Sequence, residues 1–169
     1  LFKSSVILFT SQTAVRYFID LLSKNKLDVR VLAGKKIISV GPSTTQYLSR
    51  YGLCPDFEPT VPSIEGVVLE YPEDYKGTVF FPCSEVSDLS IKTSFIDLGV
   101  EMSLCPIYKP VYALPSYPVT FNDTDILIFT SPAQADFVLA NMKIVDTSVI
   151  IAIGQTTYKG LMKRDLKNK

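Results

Sequence analysis

Histidine is missing from this 169-residue chain. Its absence excludes Ser-His-Asp and Cys-His catalysis and removes the commonest metal ligand. The three cysteines, Cys54, Cys83 and Cys105, are odd in number and form no C-x-x-C pair. They read as reduced thiols with buried structural roles, and no close-spaced set of Cys, Asp and Glu offers zinc other ligands. No metal is therefore expected. Neither charge dominates: Lys plus Arg and Asp plus Glu are both 17, a formal net charge of +0. A nucleic-acid partner would need a concentrated basic surface, so none is expected. No apolar run approaches the roughly 18 residues of a membrane span, and no signal peptide opens the chain. A cytoplasmic protein without a membrane partner is the expectation. G-x-G-x-x-G is missing too, and GPSTT at 41–45 lacks the lysine of a phosphate-binding loop, which disfavours nucleotides. Any chemistry must run on hydroxyls, amides, carboxylates, lysines or tyrosines.

What is present is globular: 47% hydrophobic and 20% charged residues, in a length that suits one domain or two small ones. The sequence also repeats itself. Ile37 to Leu48, IISVGPSTTQYL, is echoed without a gap by Ile150 to Leu161, IIAIGQTTYKGL. Gly41 falls on Gly154, Thr44 on Thr157 and Leu48 on Leu161. Upstream, ILFTS at Ile7 to Ser11 is echoed by LIFTS at Leu127 to Ser131. Two echoes in the same order indicate an approximately duplicated α/β unit.

Along the chain, Val6 to Phe9 and Ile37 to Val40 are short continuous apolar runs, as in strands buried on both faces of a parallel sheet. Ser11 is a natural N-cap, and Val15, Phe18, Ile19 and Leu22 line one helix face. Residues 27–36 are ambiguous. Thr44 to Tyr51 reads as a short helix closed by Gly52, and Ser63 begins another that stops at Pro72. Thr78 to Phe81 is predicted as a strand and Pro82-Cys83-Ser84 as a turn. A helix from Glu85 to Leu98 and a strand from Val100 to Leu104 follow. PIYKPVYALPSYP, from Pro106 to Pro118, holds four prolines and three tyrosines, and reads equally as a linker or an edge strand. A domain boundary is expected near residues 105–113. Beyond it, Ile126 to Phe129 is a strand, and Ala135, Val138, Leu139 and Met142 form a helix face. Val149 to Ile153 is a second strand, and a helix from Thr156 ends among Lys163, Arg164, Lys167 and Lys169. Two strands are too few for an independent sheet, so this second unit is expected to need more chain.

Five turns share one design: FTSQ at 9–12, GPSTT at 41–45, PCSE at 82–85, FTSP at 129–132 and GQTT at 154–157. Each is placed where a strand leaves the sheet and a helix begins, the edge at which parallel α/β sheets bind ligands. Helix N-termini bind carboxylates or phosphates through backbone amides and the helix dipole. Taken singly, Ser11, Thr44, Ser84, Ser131 and Thr157 each read better as an N-cap and nothing more. Their number on one edge favours a shared anion site.

Taken together, FTSQTAVRYF, VGPSTTQYL with YGLCPDFEP, VFFPCSE with LGVEMSLCPIYKPVY, IFTSPAQADF and IGQTTYKGL resemble the successive blocks of the uroporphyrinogen-III synthase family. The resemblance runs in the family's order over nearly the whole chain. It implies two flavodoxin-like parallel-sheet α/β domains joined by a short extended ladder, with the active site in the cleft between them. Residues 1–104 would be the middle domain, 105–113 the linker strand and 114–169 part of a second, split domain that is incomplete here. The implied reaction converts hydroxymethylbilane to uroporphyrinogen III, inverting the fourth ring and losing water, in a monomer with no cofactor. Carried over by position, Tyr108 of PIYKP would assist departure of the hydroxyl. Ser11, Thr44, Ser131 and Thr157, with Ser84 a weaker match, would hold the substrate's propionates and acetates. The sequence departs from the family in lacking its chain before the first FTS block and beyond the IGQTT helix. Thr45 and Tyr158 also replace the alanine often found after the threonine. The alternatives are a non-catalytic two-lobed anion-binding module, a degenerate synthase homologue among them, and a plain flavodoxin-like binding domain.

Overall fold

The computed structural model describes residues 1–87, 90–144 and 148–163. The chain forms two compact units, Leu1–Pro110 and Val111–Lys169. Unit 1 runs β1 (Val6–Phe9), α1 (Gln12–Lys24), a 3-10 turn (Val29–Leu32), β2 (Lys36–Ser39), α2 (Pro42–Ser49), α3 (Ile64–Leu69), β3 (Thr78–Ser84), α4 (Ser90–Asp97) and β4 (Glu101–Tyr108). Unit 2 runs β5 (Ile126–Phe129), α5 (Pro132–Asn141), β6 (Val149–Ala152) and α6 (Gln155–Met162). It is a mixed α/β fold with parallel sheets.

In unit 1 the strand order is β2-β1-β3-β4, with every pairing parallel. The order reverses direction between β1 and β3, the position at which open α/β sheets form their ligand crevice. Strand alternation divides the core. Val6 and Leu8 face α3 and α4 with Val67, Phe95 and Met102, while Ile7 and Phe9 face α1 and α2 with Phe18, Leu48 and Phe80. All four β1 residues are buried, which is why their run carries no polar alternation.

Helix ends follow local chemistry. Ser11 caps α1, its Oγ accepting from the Ala14 amide at 3.1 Å. Lys26 takes a left-handed conformation (φ 57°) and Leu27 donates to the Leu22 carbonyl, stopping that helix. The expected stops at Gly52 (φ 71°) and Gly99 (φ 70°) hold in the same way. The ambiguous stretch 27–36 contains the 3-10 turn, capped by Asp28.

The chain after Phe81 differs from expectation, and that between Leu104 and Tyr108 takes the edge-strand alternative. Pro82-Cys83-Ser84 is not a turn: β3 continues through it, paired to β4 up to Ser84. Pro82 lies beyond Ile7–Phe80, the last pairing to β1, so its missing N–H deprives no β1 ladder bond. Likewise β4 runs past Leu104 to Tyr108, carrying Pro106 on an edge strand where a lost donor costs little. Residues 105–108 of the expected linker are thus sheet. The helix expected from Glu85 begins at Ser90 among the described residues, with Glu85 and Val86 in a turn. Of the cations expected at the last helix end, Arg164, Lys167 and Lys169 lie outside the described residues.

Unit 2 reproduces the first half of unit 1. Phe9 pairs with Ser39 and Phe129 with Ala152, the register that the sequence echo demands. Its burial is not reproduced. Val6 and Leu8 are 1% and 0% exposed, whereas Ile126 and Ile128 are 60% and 55% exposed. That face of β5–β6 has nothing equivalent to α3 and α4 over it among the described residues.

A segment after α2 braces the β2 edge. Ser39 donates to the Phe57 carbonyl at 3.0 Å and Asp56 to the Ile37 carbonyl at 2.8 Å. The Asp56 carboxylate accepts from the Ile37 amide (2.9 Å) and from Lys36 Nζ (3.0 Å). Partial burial pushes its pKa up, but the Ile37 hydrogen bond and the Lys36 cation outweigh this, and the net shift is downward. A lowered carboxylate pKa contributes stability above its unfolded value of 3.8 that is lost as pH falls through and below it. The urea midpoint should therefore fall on acidification from about pH 5 to about pH 3, and fall less in Asp56→Asn. Equal slopes for the two proteins would remove Asp56 from the pH response.

Candidate ligand-binding edge

The functional candidates fall at strand C-termini. Counting on from Ile7–Phe80 places Ser11 level with Ser84, and Ser84 pairs directly with Tyr108. Phe9 pairs with Ser39, which places Gly41 level with Ser11. Unit 1 thus brings Ser11, the Gly41 turn, Ser84 and Tyr108 to one edge of its sheet. Unit 2 brings Ser131 and Thr157 to the equivalent edge of its own.

The hydroxyls do different jobs. Ser11 and Ser131 are N-caps whose Oγ atoms accept from Ala14 (3.1 Å) and Gln134 (3.2 Å). Gln134 Oε1 reaches back to accept from the Thr130 amide at 3.1 Å, in the manner of a capping box. Thr44 and Thr157 are not caps. Gly41 and Gly154 occupy the cap positions without a side-chain bond, and both threonines are 3% exposed inside the first turn. Ser84 heads no helix. It ends β3, its Oγ accepting from the Val86 amide (3.3 Å) and its amide donating to Ser87 Oγ (3.1 Å). The correction follows from the extension of β3 through Pro82.

With the third amide of α1 and of α5 taken by its own cap, anion binding falls to the first two amides of each helix, which have no intrahelical acceptor. Pro42 and Pro132 remove two of these. Gln12, Thr13 and Ser43 remain in unit 1, and Ala133, Gln155 and Thr156 in unit 2. These amides can hold carboxylates without a charged side chain.

Sequence reasoning missed a polar cluster beneath the Gly41 turn. Ser39, fully buried, shares a 2.5 Å hydrogen bond with Thr45, and Thr45 also bonds the Glu58 carboxylate. This ties the first turn of α2 to the bracing segment. Pro62 closes over the turn so tightly that a Cβ at Gly41 would lie 2.7 Å from the proline Cβ. The signal for the cluster was Ser39 itself, a polar residue within the apolar run IISV.

Tyr108 ends β4 half-buried, its carbonyl accepting from the Glu85 amide at 2.9 Å. Its ring stacks on Tyr17 of α1, with centroids 5.2 Å apart and planes 11° from parallel. The Arg16 guanidinium lies 4.8 Å from the Tyr17 ring centroid. Tyr17 was also missed, because it falls off the apolar face formed by Val15, Phe18 and Leu22.

All three cysteines are free thiols; burial pushes the Cys83 thiol pKa up, away from a reactive thiolate. Among the described residues no three His, Cys, Asp or Glu side chains are grouped to hold a metal, and no helix is long and apolar enough to cross a membrane. An open groove of about 730 Å³ lies in unit 2, lined by residues 114–121 and 141–144. It sits past the C-terminus of α5, at the opposite end of the strands from Ser131 and Thr157, and bears none of the candidate groups.

The comparisons with known proteins agree with this architecture. The chain is 25% identical over 171 residues to the porphyrin biosynthesis protein HemD of Ruminiclostridium josui, an alignment covering 95% of the chain and 34% of that protein. It thus spans about a third of the curated relative's length. Among solved structures, the uroporphyrinogen-III synthetase of Helicobacter pylori superposes with a TM-score of 0.66 at 20% identity, covering 95% of this chain and 73% of that one. A mutant uroporphyrinogen III synthase of Thermus thermophilus gives 0.65 at 15% identity, covering 94% and 68%. These likenesses establish the fold. The family model for uroporphyrinogen-III synthase HemD matches residues 3–169, and the chain belongs to that family.

Proposed function

We propose that this protein acts as a uroporphyrinogen-III synthase, a lyase that closes hydroxymethylbilane into uroporphyrinogen III with inversion of the fourth ring and loss of one water. The observation that carries this reading is the family match across residues 3–169. Each unit is read as a flavodoxin-like domain, with the break after Pro110 falling inside the proposed linker at 105–113. The substrate is a small polycarboxylate, and the two amide-bearing rims suit its propionates and acetates. A cytoplasmic monomer without a nucleic-acid partner is the proposed working form, and the proposed reaction uses no metal or organic cofactor.

In this mechanism the Tyr108 phenol donates a proton or hydrogen bond to the leaving hydroxyl, which departs as water, and loss of the pyrrole N–H proton, which restores the phenol, leaves an electrophilic azafulvene. Amides at Gln12, Thr13 and Ser43, and those at Ala133, Gln155 and Thr156, hold carboxylates so that the substituted carbon of the last ring attacks. That carbon's bond to the methylene of the third ring then breaks, and the free α carbon of the last ring bonds to that methylene and loses its proton. Ser11 and Ser131 preserve these sites by capping the helices behind them. Thr44 and Thr157, being buried, seat the helix starts, and Ser84 shapes the turn beside Tyr108. Because the substrate ionises readily, Tyr108 assists without being indispensable.

A coupled assay with freshly made hydroxymethylbilane tests the proposal. Isomer III should form faster than isomer I appears spontaneously; isomer I alone would favour a non-catalytic polyanion-binding module. Tyr108→Phe should slow turnover by about tenfold with an unchanged melting temperature. Equal rates would remove Tyr108 from the mechanism.

A further inference from the structure

The direction of the Tyr108 side chain is set by an irregularity in β4. In a regular strand alternate residues share a face, and Met102 and Leu104 both point to the α3–α4 side. Tyr108 would follow them. Instead the pairing skips Ile107: Cys83 pairs with Pro106 and Ser84 with Tyr108. This bulge brings Ile107 and Tyr108 alike to the α1 side, with Cys105. Bulges re-aim side chains and are over-represented next to active sites. On that side the Tyr108 ring meets Tyr17, near-parallel at 5.2 Å.

We propose that Tyr17 is a positioning residue for Tyr108: its ring, stacked on that of Tyr108, fixes the direction of the phenol that the bulge has turned toward α1. This rests on the reading that Tyr108 assists departure of the substrate hydroxyl. Three features separate the role from plain packing. Tyr17 is 37% exposed and off the buried face of α1, so its loss leaves the Phe9–Phe18–Phe80 core untouched. The contact is a ring-on-ring stack, which a phenylalanine can reproduce. The main-chain ties of Tyr108, its pairing with Ser84 and the bond from the Glu85 amide, do not fix its side-chain torsions.

The test compares Tyr17→Ala, Tyr17→Phe, Tyr108→Phe and the double variant Tyr17→Ala/Tyr108→Phe. Tyr17→Ala should lower kcat about three- to tenfold while KM stays within about twofold. Tyr17→Phe should restore the parent rate. In the Tyr108→Phe background, Tyr17→Ala should cost nothing further, because the group it positions is gone. A parent-like kcat in Tyr17→Ala beside a slow Tyr108→Phe would overturn the proposal and leave the synthase reading standing. A further loss in the double variant would equally overturn it. With nine tyrosines in the chain, site-specific 3-fluorotyrosine at position 108 supplies a readout independent of activity. Its fluorine resonance should shift and broaden in Tyr17→Ala and stay sharp and parent-like in Tyr17→Phe; an unmoved line in Tyr17→Ala would refute the positioning even if no isomer III forms.

Discussion

Replacing Phe18 with alanine should destabilise the protein by about 3–5 kcal/mol, the largest single-residue effect expected here. Phe18 is 1% exposed on the inner face of α1. Its ring meets Phe9 of β1 edge-on at 5.4 Å and Phe80 of β3 at 6.1 Å. Truncation would remove the transfer free energy of the ring and leave a cavity walled by two sheet residues that cannot collapse without breaking strand pairing. Against a total stability of about 5–15 kcal/mol the loss is severe. Urea unfolding would show it as a lower midpoint with an unchanged slope. The variant also tests the candidate edge, since α1, capped by Ser11, carries Gln12, Thr13 and Tyr17 and buries this ring against the sheet. A loss below about 1 kcal/mol would mean that α1 is not packed as described.

Gly66→Ala should cost about 1–3 kcal/mol even though alanine is the better helix former by about 1 kcal/mol. A Cβ at Gly66 would lie 2.1 Å from the Val61 carbonyl oxygen and 3.2 Å from its carbon. Both are backbone atoms, so relief requires moving the chain. That chain is pinned on each side: Thr60 donates its amide and hydroxyl to Glu70, and Ser63 donates to the Val61 carbonyl at 2.7 Å. Pro62, next along, covers Gly41, so its displacement should loosen the first turn of α2, which carries the Ser43 amide of the proposed carboxylate site. Hydrogen exchange provides the check. The Ser39 amide, bonded to the Phe57 carbonyl, should lose protection more than the Ala14 amide in α1. A variant as stable as the parent would show that helix propensity wins and that the crowding is relieved freely.

How much of this was readable beforehand depended on the range of the interactions involved. The caps at Ser11, Ser63 and Ser131 and the stops at Gly52 and Gly99 are local backbone chemistry, written within four or five residues. The repeat was readable because the same local chemistry occurs twice, down to the common register of β1–β2 and β5–β6. Pro82-Cys83-Ser84 misled because proline's turn preference is local, while its tolerance in β3 depends on the pairing with β1 having ended at Phe80. The cap reading of Thr44 and Thr157 does not hold for a related reason: glycine takes the cap, and each threonine, three residues further on, is buried inside the first turn.

Composition, periodicity and short motifs by themselves determined the parallel α/β architecture, the duplicated strand-turn-helix unit and the strand ends at which polar groups gather, since each follows from burial pattern and local hydrogen bonding. The residues proposed for the site by resemblance come from those strand ends, Ser84 and Tyr108 from the last positions of β3 and β4. Only the tertiary structure decided which way Tyr108 points, that Tyr17 lies against it, and that Glu58 anchors the Gly41 turn. Those outcomes depend on strand register, a skipped residue in β4 and contacts between segments 13 to 91 positions apart, which no local rule encodes.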